Sequence, residues 1–101
     1  MILSPRGELT VAEAPRLRAE LLAAIKDSRD PTVIVDLTEV TFIDATVVGV
    51  LIGARERLAK DNRRLRVAGP SKQVQRTLEL IGLDKVIQVF PTVAQAESDE
   101  T

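Results

Sequence analysis

Residues Thr32–Leu37 read TVIVDL, a nearly continuous run of β-branched residues. Such a run is typical of a strand buried on both faces, as in a parallel sheet covered by helices. Further along, Ala45–Ala54 reads ATVVGVLIGA and is apolar except for Thr46, which is typical of a helix with a buried start, here running to about Asp61. We therefore place Thr32–Leu37 at the centre of a sheet and expect the following helix to pack against it.

Shorter strands are predicted on both sides of this central one. Ile2–Glu8 alternates weakly and is interrupted by Pro5, so it suits a sheet edge. Arg64–Ala68 and Val86–Phe90 predict two more strands, which makes four in all. Residues 38–41 are expected to be a linker that leads into the second helix.

The first helix has two candidate starts. Thr10 and Glu13 have the spacing of a capping box, whereas Pro15 is favoured in the first turn of a helix. Either Thr10 caps a single turn and the helix proper begins at Pro15, or the helix runs through with one hydrogen bond missing. The apolar stripe expected to face the core comprises Ala14, Leu17, Leu21, Leu22 and Ile25.

Capping signals mark the third and fourth helices. Ser71 is a good N-cap for the third helix, and Gly82 stands where a left-handed C-terminal cap is expected. Thr92 and Gln95 have capping-box spacing for a closing helix. Strands and helices thus alternate along the chain, which predicts an α/β sheet with right-handed crossovers.

The composition narrows the possible functions. The chain has 101 residues, 45% of them hydrophobic and 29% charged, which suits one globular domain with its own core. Cysteine and histidine are absent, which removes disulfides and the usual parts of most transition-metal and nucleophilic sites. Asp36 and Asp44 could pair as carboxylates, but no third ligand accompanies them. We expect no catalytic residues, no metal and no cofactor.

Charge and hydropathy argue against nucleic acid and membrane as partners. The net charge is −1, and Phe42 and Phe90 are the only aromatic residues, so there is neither a basic surface nor a platform for stacking bases. The longest apolar run is about half of the roughly 20 residues that a membrane span needs. Residues 1–7 lack the basic head and apolar segment of a secretory signal. We expect a cytoplasmic protein with no direct contact to nucleic acid or membrane.

The sequence on both sides of residue 45 resembles a known family. FIDATVVGVLIGA begins at Phe42, VIVDLTEV precedes it, and LRVAGPSKQVQRTLELIGL follows from Leu65. With the GEL turn at Gly7–Leu9, this ordered set resembles the STAS domain, the fold of bacterial anti-sigma factor antagonists. The resemblance implies an α/β fold, a single STAS domain over residues 1–96, with a four-stranded mixed or parallel sheet and helices stacked mainly on one face. Residues 97–101 are expected to form an acidic flexible tail.

The resemblance also implies a function in partner switching. In this family the unphosphorylated antagonist binds an anti-sigma factor that is also a Ser/Thr kinase of the histidine-kinase-like ATPase fold, and so releases the sigma factor. The kinase then phosphorylates a hydroxyl at the start of the second helix and ends the interaction. The expected partner is therefore an anti-sigma factor with a kinase-like ATPase fold, and the expected function is regulation of sigma-factor-dependent transcription.

The chain departs from the family pattern at the phosphorylation site. The usual acceptor serine directly follows the aspartate, and here Ala45 stands in that place. Thr46 matches the family's second hydroxyl and is the possible phosphorylation site, although a threonine there can also simply pack its methyl group and bond locally. Val47 replaces a glycine often found next, which makes the helix start bulkier and stiffer. Asp44 suits a helix N-cap whatever the function.

A partner-binding surface is expected at the start of the second helix and the nearby turn. Because Ala45 accepts no phosphate, the protein should remain in the state that binds its partner. Val47 and Val48 are expected to add apolar area to the interface. The surface comprises Leu9, Thr10, Asp44, Ala45, Thr46, Val47 and Val48.

A second functional hypothesis stays open beside the first. Similar stand-alone STAS domains clamp ABC-type ATPases in lipid transport, so the chain could instead be an accessory subunit of such a transporter ATPase.

Family members usually carry a further strand before the one at Ile2–Glu8, and this sequence begins too late to supply it. We therefore expect an open sheet edge here. That edge predicts a monomer or a weak homodimer.

Two further groups of residues have a structural and a functional interpretation. Gly49 and Gly53 are explained better by close packing on the sheet than by a ligand. The basic residues of the middle segment form either a solvated face, which we favour, or a docking patch for an acidic partner. They are Arg55, Arg57, Lys60, Arg63, Arg64 and Arg66.

Overall fold

A computed structural model of the chain describes residues 1–99. Within them, strands and helices alternate, with short 3₁₀ turns at Val11–Glu13 and Leu83–Lys85. The strands are β1 (Ile2–Leu3), β2 (Gly7–Leu9), β3 (Thr32–Asp36), β4 (Val40–Ile43), β5 (Arg64–Ala68) and β6 (Gln88–Phe90). The helices are α1 (Ala14–Asp27), α2 (Ala45–Ala59), α3 (Lys72–Ile81) and α4 (Val93–Ser98).

Four of the strands form a parallel sheet in the order β1–β3–β5–β6. β3 is internal, and its residues 33–35 are buried because both faces of the sheet are covered. The register pairs Ile2 with Ile34 and Val33 with Leu65. The predicted four-stranded sheet and the central position of TVIVDL are confirmed.

The N-terminal segment forms two strands, so the prediction of one strand over Ile2–Glu8 is wrong. Pro5 has no N–H to donate to a ladder, and Gly7 turns the chain with a φ of 79°. As a result β1 joins the main sheet, whereas β2 pairs in parallel with β4 in a separate two-stranded ladder. In that ladder Leu9 lies opposite Ile43, which brings the end of β2 to the start of α2.

The segment expected to be a linker overlaps β4. Val40 and Ile43 at the ends of this strand are buried, whereas Thr41 and Phe42 between them are exposed. Burial at both ends with two exposed residues between them does not follow the alternation of a half-buried strand, so periodicity did not reveal it. β4 leads directly into α2 through Asp44.

The start of α1 follows the first of the two predicted alternatives in its turn and helix, but not in its cap. A single 3₁₀ turn comes after Thr10, and the helix proper then begins with Pro15 in its first turn. The predicted capping box is wrong, because the hydroxyl of Thr10 makes no capping hydrogen bond; instead the amide of Glu13 donates to the carbonyl of Thr10 at 2.9 Å. The apolar stripe of α1 is buried except for Leu22, which is 42% exposed.

Helices α1, α2 and α3 cover one face of the sheet, as predicted. Val33 and Val35 of β3 belong, with residues of these helices, to one large core cluster. Leu21, Leu51 and Leu78, one from each helix, are essentially inaccessible to solvent. We call this side the three-helix face.

The opposite face of the sheet is covered by α4. Arg66 of β5 lies there and is only 3% exposed. Its Nη1 donates to the carbonyl oxygens of Ala96 at 2.6 Å and Asp99 at 2.7 Å, and its guanidinium carbon lies 5.3 Å from the centre of the Phe90 ring. We call this side the α4 face. Its small apolar cluster comprises Ile34, Ala68 and Ala96.

The predicted caps of α3 and α4 are present. The hydroxyl of Ser71 accepts a hydrogen bond from the amide of Val74 at 3.2 Å, and that of Thr92 accepts one from Gln95 at 3.1 Å. Gly82 ends α3 with a φ of 91°, a left-handed conformation that favours glycine.

The two ends of the described chain lie at the α4 face. The ammonium group of Met1 contacts a carboxylate oxygen of Asp30 at 2.6 Å, and this hydrogen bond lowers the pKa of Asp30. At the other end, α4 includes Glu97 and Ser98, the first residues of the predicted tail. Residues 100 and 101 of that tail lie outside the described residues, and the domain boundary at residue 96 stays a prediction.

Candidate partner-binding site

Asp44 fixes the start of α2 and ties it to β2. Its amide donates to the carbonyl of Leu9 with an N···O distance of 3.2 Å. Its Oδ1 accepts from the amide of Val47 at 3.1 Å, and its carbonyl accepts from the amide of Val48 at 3.1 Å. These are the hydrogen bonds of a helix N-cap, so the predicted structural role of Asp44 is confirmed.

The first turn of α2 has an exposed half and a buried half. Ala45 and Thr46 are exposed, whereas Val47 and Val48 are 0% exposed and belong to the core of the three-helix face. The expectation that the two valines add apolar area to an interface is therefore wrong. Successive helix residues turn about the axis with a period of 3.6, and this rotation carries both valines inward.

The turn between β2 and α1 lies beside this helix start. Leu9 is 5% exposed, so its carbonyl, which accepts from Asp44, is what ties the turn to α2, and its side chain belongs to the core. Thr10 is half-buried. Of the seven predicted residues, four present side chains to solvent. We call them the α2-start surface: Thr10, Asp44, Ala45 and Thr46.

Two exposed apolar side chains flank this surface in the chain. Val11 directly follows Thr10 and is 62% exposed, and Phe42 stands two residues before Asp44 and is 42% exposed. Neither belongs to the predicted set. The available signal was an aromatic residue two positions before a helix N-cap, but its exposure depends on the β2–β4 pairing, which the sequence did not indicate.

The geometry of the α2 start occurs within a fold that matches known proteins. The family model described as the STAS domain matches residues 1–96. The chain belongs to the STAS domain family. Its fold, with four parallel strands in the main sheet and helices mainly on one side, is the one that the resemblance predicted.

Several relatives of this STAS domain are named for one role. It is 31% identical over 83 residues to an anti-sigma-B factor antagonist of Listeria monocytogenes, a match that covers 82% of this chain and 72% of that protein. It is 29% identical over 83 residues to an anti-sigma-B factor antagonist of Staphylococcus aureus, covering 82% and 76%. The crystal structure of an anti-sigma factor antagonist from Mycobacterium paratuberculosis matches with a TM-score of 0.87 and 29% identity, over 96% of this chain and 81% of that one.

The two carboxylates considered for chemistry have separate structural roles in this STAS domain. Asp36, at the end of β3, accepts hydrogen bonds from the amide and the hydroxyl of Thr38, with an N···O distance of 3.0 Å for the amide. Asp44 caps α2. Among residues 1–99 there is no group of three or more acidic side chains arranged to hold a metal ion. Over the same residues, none of the helices combines the length and apolar character that a membrane span requires.

Arg63 has a structural role that the sequence did not indicate. Its guanidinium donates to three carbonyl oxygens: those of Ile25 at 2.8 Å, Ser28 at 3.0 Å and Asp30 at 2.9 Å. These carbonyls belong to the last turn of α1 and the loop that follows, where helix geometry provides no partner of its own. Arg63 therefore holds the connection between α1 and β3.

The basic residues of the middle segment do not form one patch. Arg66 lies buried on the α4 face, and Arg63 is turned toward the backbone of the α1–β3 loop. Arg57 in the last turn of α2 and Lys60 at its C-cap are exposed. A single docking patch built from all six residues is therefore wrong, and so is a single solvated face.

Gly49 and Gly53 do not pack against the sheet. Both are exposed on the outer side of α2, and a Cβ atom placed on either would meet no atom within 4 Å. The interpretation of these glycines as packing residues is therefore wrong. They line a groove between α1 and α2.

Proposed function

We propose that this STAS domain is an anti-sigma factor antagonist that binds its anti-sigma factor, a Ser/Thr kinase-like ATPase, through the α2-start surface. The observation that carries the proposal is the set of relatives named anti-sigma-B factor antagonist, combined with a rigid, exposed helix start at the position that the family uses. Asp44 is bonded to both β2 and α2, so the surface is held in one shape before a partner arrives.

Ala45 distinguishes this chain from a phosphorylated antagonist. Its side chain is exposed and has no hydroxyl, so a kinase that reaches this position finds no acceptor. The protein then stays competent to bind, and the anti-sigma factor remains engaged for as long as both are present. Because phosphorylation at this position is absent, such a chain sequesters its partner continuously.

Thr46 is the remaining hydroxyl at this helix start. It is exposed in the first turn of α2, one residue beyond Ala45. A phosphate there would add about −1.5 to −2 charges. The amide of Val47 is already bonded to the carboxylate of Asp44, so the phosphate would meet an existing negative charge as well as an interface built without it. Modification of Thr46 therefore weakens partner binding.

Calorimetric titration tests this surface. The partner is the purified kinase-like anti-sigma factor from the same genome, titrated with wild type, Thr46→Ala and Thr46→Glu. We expect Thr46→Ala to bind within a few-fold of wild type and Thr46→Glu to bind at least about tenfold more weakly, about 1.4 kcal/mol. The matched control is Gln73→Glu, which adds the same charge at the second position of α3 and should leave affinity unchanged.

The outcomes separate the two functional hypotheses. Equal affinities for Thr46→Glu and wild type would remove the α2 start from the interface. Binding to an ABC-type transporter ATPase, with none to the anti-sigma factor, would favour the accessory-subunit role. Mass spectrometry after incubation with ATP and the kinase should show wild type essentially unmodified. The variant Ala45→Ser, which restores a hydroxyl at the family's position, should gain phosphate and is the positive control.

A further inference from the structure

A groove runs along the outside of the three-helix face, between α1 and α2. It encloses about 540 Å³. On α2 and its C-cap, the lining residues recur every three or four positions from Thr46 to Lys60, so they form one stripe about 21 Å long. This stripe begins at the α2-start surface and continues beyond it to the C-terminal end of the helix. We call it the α1–α2 groove.

The floor of the groove contains two glycines that neither the backbone conformation nor the packing of α2 requires. Gly49 and Gly53 lie in the interior of α2, where glycine is less favourable than alanine. Neither has a positive φ, and a Cβ at either would meet no atom within 4 Å. Neither backbone conformation nor packing within the chain accounts for them. Their effect is to leave the helix backbone open to close approach from outside.

The walls of the groove combine apolar and basic side chains. Leu22, the exposed residue of the predicted apolar stripe of α1, lines the groove together with Val50 of α2. Arg18 and Lys60 add positive charge to the rim, and Glu56 is the one carboxylate among its lining residues.

Arg57 also lines the groove. It pairs with Asp61 at 3.5 Å, and both side chains are about half exposed. An exposed pair of this kind contributes little to stability and exchanges readily for another carboxylate. The lining of the groove therefore contains three cationic side chains and one carboxylate, that of Glu56. A carboxylate of a partner can displace Asp61 from Arg57.

We propose that the α1–α2 groove binds an acidic amphipathic helix of a partner protein. Small residues of that helix lie against Gly49 and Gly53, where the missing side chains let two helix backbones approach closely. Its apolar face covers Leu22 and Val50, and its carboxylates pair with Arg18, Arg57 and Lys60. The charge of the rim selects an acidic helix over a basic one. The groove shares only Thr46 with the α2-start surface and extends along α2 beyond it, so the contact is a second surface.

Two designed peptides provide the test. The first is a helix of about 14 residues, long enough to follow the stripe, with alanine and leucine on one face and glutamate on the other. The second is its twin with every glutamate changed to lysine. Each is titrated into the isotope-labelled protein by NMR. We expect the acidic peptide to shift the amide signals of Gly49 and Gly53 at submillimolar concentration, to bind more weakly as salt is raised, and to bind at least about tenfold more tightly than its twin.

Variants of α2 locate the contact. Gly53→Leu places a side chain on the open floor, where its Cβ meets no atom within 4 Å, and should weaken binding of the acidic peptide about tenfold. Ala59→Leu, exposed on α2 but outside the groove, should leave binding unchanged. Gly53→Ala should raise the melting temperature while weakening binding, a combination that a purely structural glycine would not give.

Each contrary outcome overturns the proposal. These are the absence of shifts at Gly49 and Gly53, equal binding of the two peptides, and wild-type affinity in Gly53→Leu. The wild-type titrations stand without any variant, and they use no anti-sigma factor. A failure here is therefore distinguishable from a failure of the proposed function.

Discussion

The two faces of the parallel sheet are stabilised in different ways. The three-helix face buries one large apolar cluster, in which Leu51 and Val67 have no exposed surface. The α4 face buries a small cluster and holds its helix with the guanidinium of Arg66, which donates to two carbonyls at the end of α4. Arg66 and Val67 are neighbours in β5 and point to opposite faces. One strand thus supports non-directional packing on one side and directional hydrogen bonds on the other.

The largest effect is expected from the three-helix face. Leu51→Ala removes a fully buried side chain and leaves a cavity, so the free energy of unfolding should fall by about 2–5 kcal/mol. Urea denaturation followed by circular dichroism measures it. The matched control is Leu80→Ala, because Leu80 is 82% exposed and the same truncation there should change stability by less than about 0.5 kcal/mol. Similar losses in the two variants would refute the assignment of the core.

An intermediate and local effect is expected from the α4 face. Arg66→Met keeps the length of the side chain but removes the donors to Ala96 and Asp99, so we expect a loss of about 1–2 kcal/mol. Hydrogen exchange should quicken in α4 and stay slow in α1 and α2. The exposed Arg76→Met is the control. If exchange quickens equally on both faces, the faces are one cooperative unit and the contrast between them is lost.

The smallest effect is expected from the helix caps. They allow the same change, removal of a capping hydroxyl, to be made on each face of the sheet. Ser71→Ala on α3 and Thr92→Ala on α4 each remove a hydroxyl that accepts a first-turn amide, at about 0.5–1 kcal/mol apiece. In urea melts, Ser71→Ala should lower global stability, whereas Thr92→Ala should mainly quicken hydrogen exchange within the six residues of α4. The reverse pattern would show that α4 is the more tightly coupled helix.

Most features whose causes lie close together in sequence could be predicted, although the capping box expected at Thr10 is not formed. The caps at Asp44, Ser71 and Thr92 each depend on a side chain and an amide three residues later, and all three are present. The central strand was recognisable because burial on both faces leaves a nearly unbroken run of β-branched residues. The same local rule placed the α2 start at its cap.

Features that depend on distant partners could not be predicted. Arg63, Arg64 and Arg66 look alike within RRLR, yet the fold turns Arg63 to a loop, leaves Arg64 exposed and buries Arg66. The pairing of β2 with β4 was missed for the same reason, since it joins segments on either side of α1 and β3. At the candidate site, the family resemblance led us to expect Val47 and Val48 in the interface. The way α2 packs on the sheet turns both side chains into the core.

The parallel ladder also has a consequence for how the chain folds. Ile2 must meet Ile34, and Thr32 must meet Arg64, so each pairing waits for a whole crossover to be made. Such non-local contacts slow folding, because the chain closes a long loop before the pairing stabilises anything. During synthesis β1 precedes β3 and has no partner in the main sheet until α1 is complete. At two residues, β1 is a poor template for a neighbouring nascent chain, which limits misassembly during that interval.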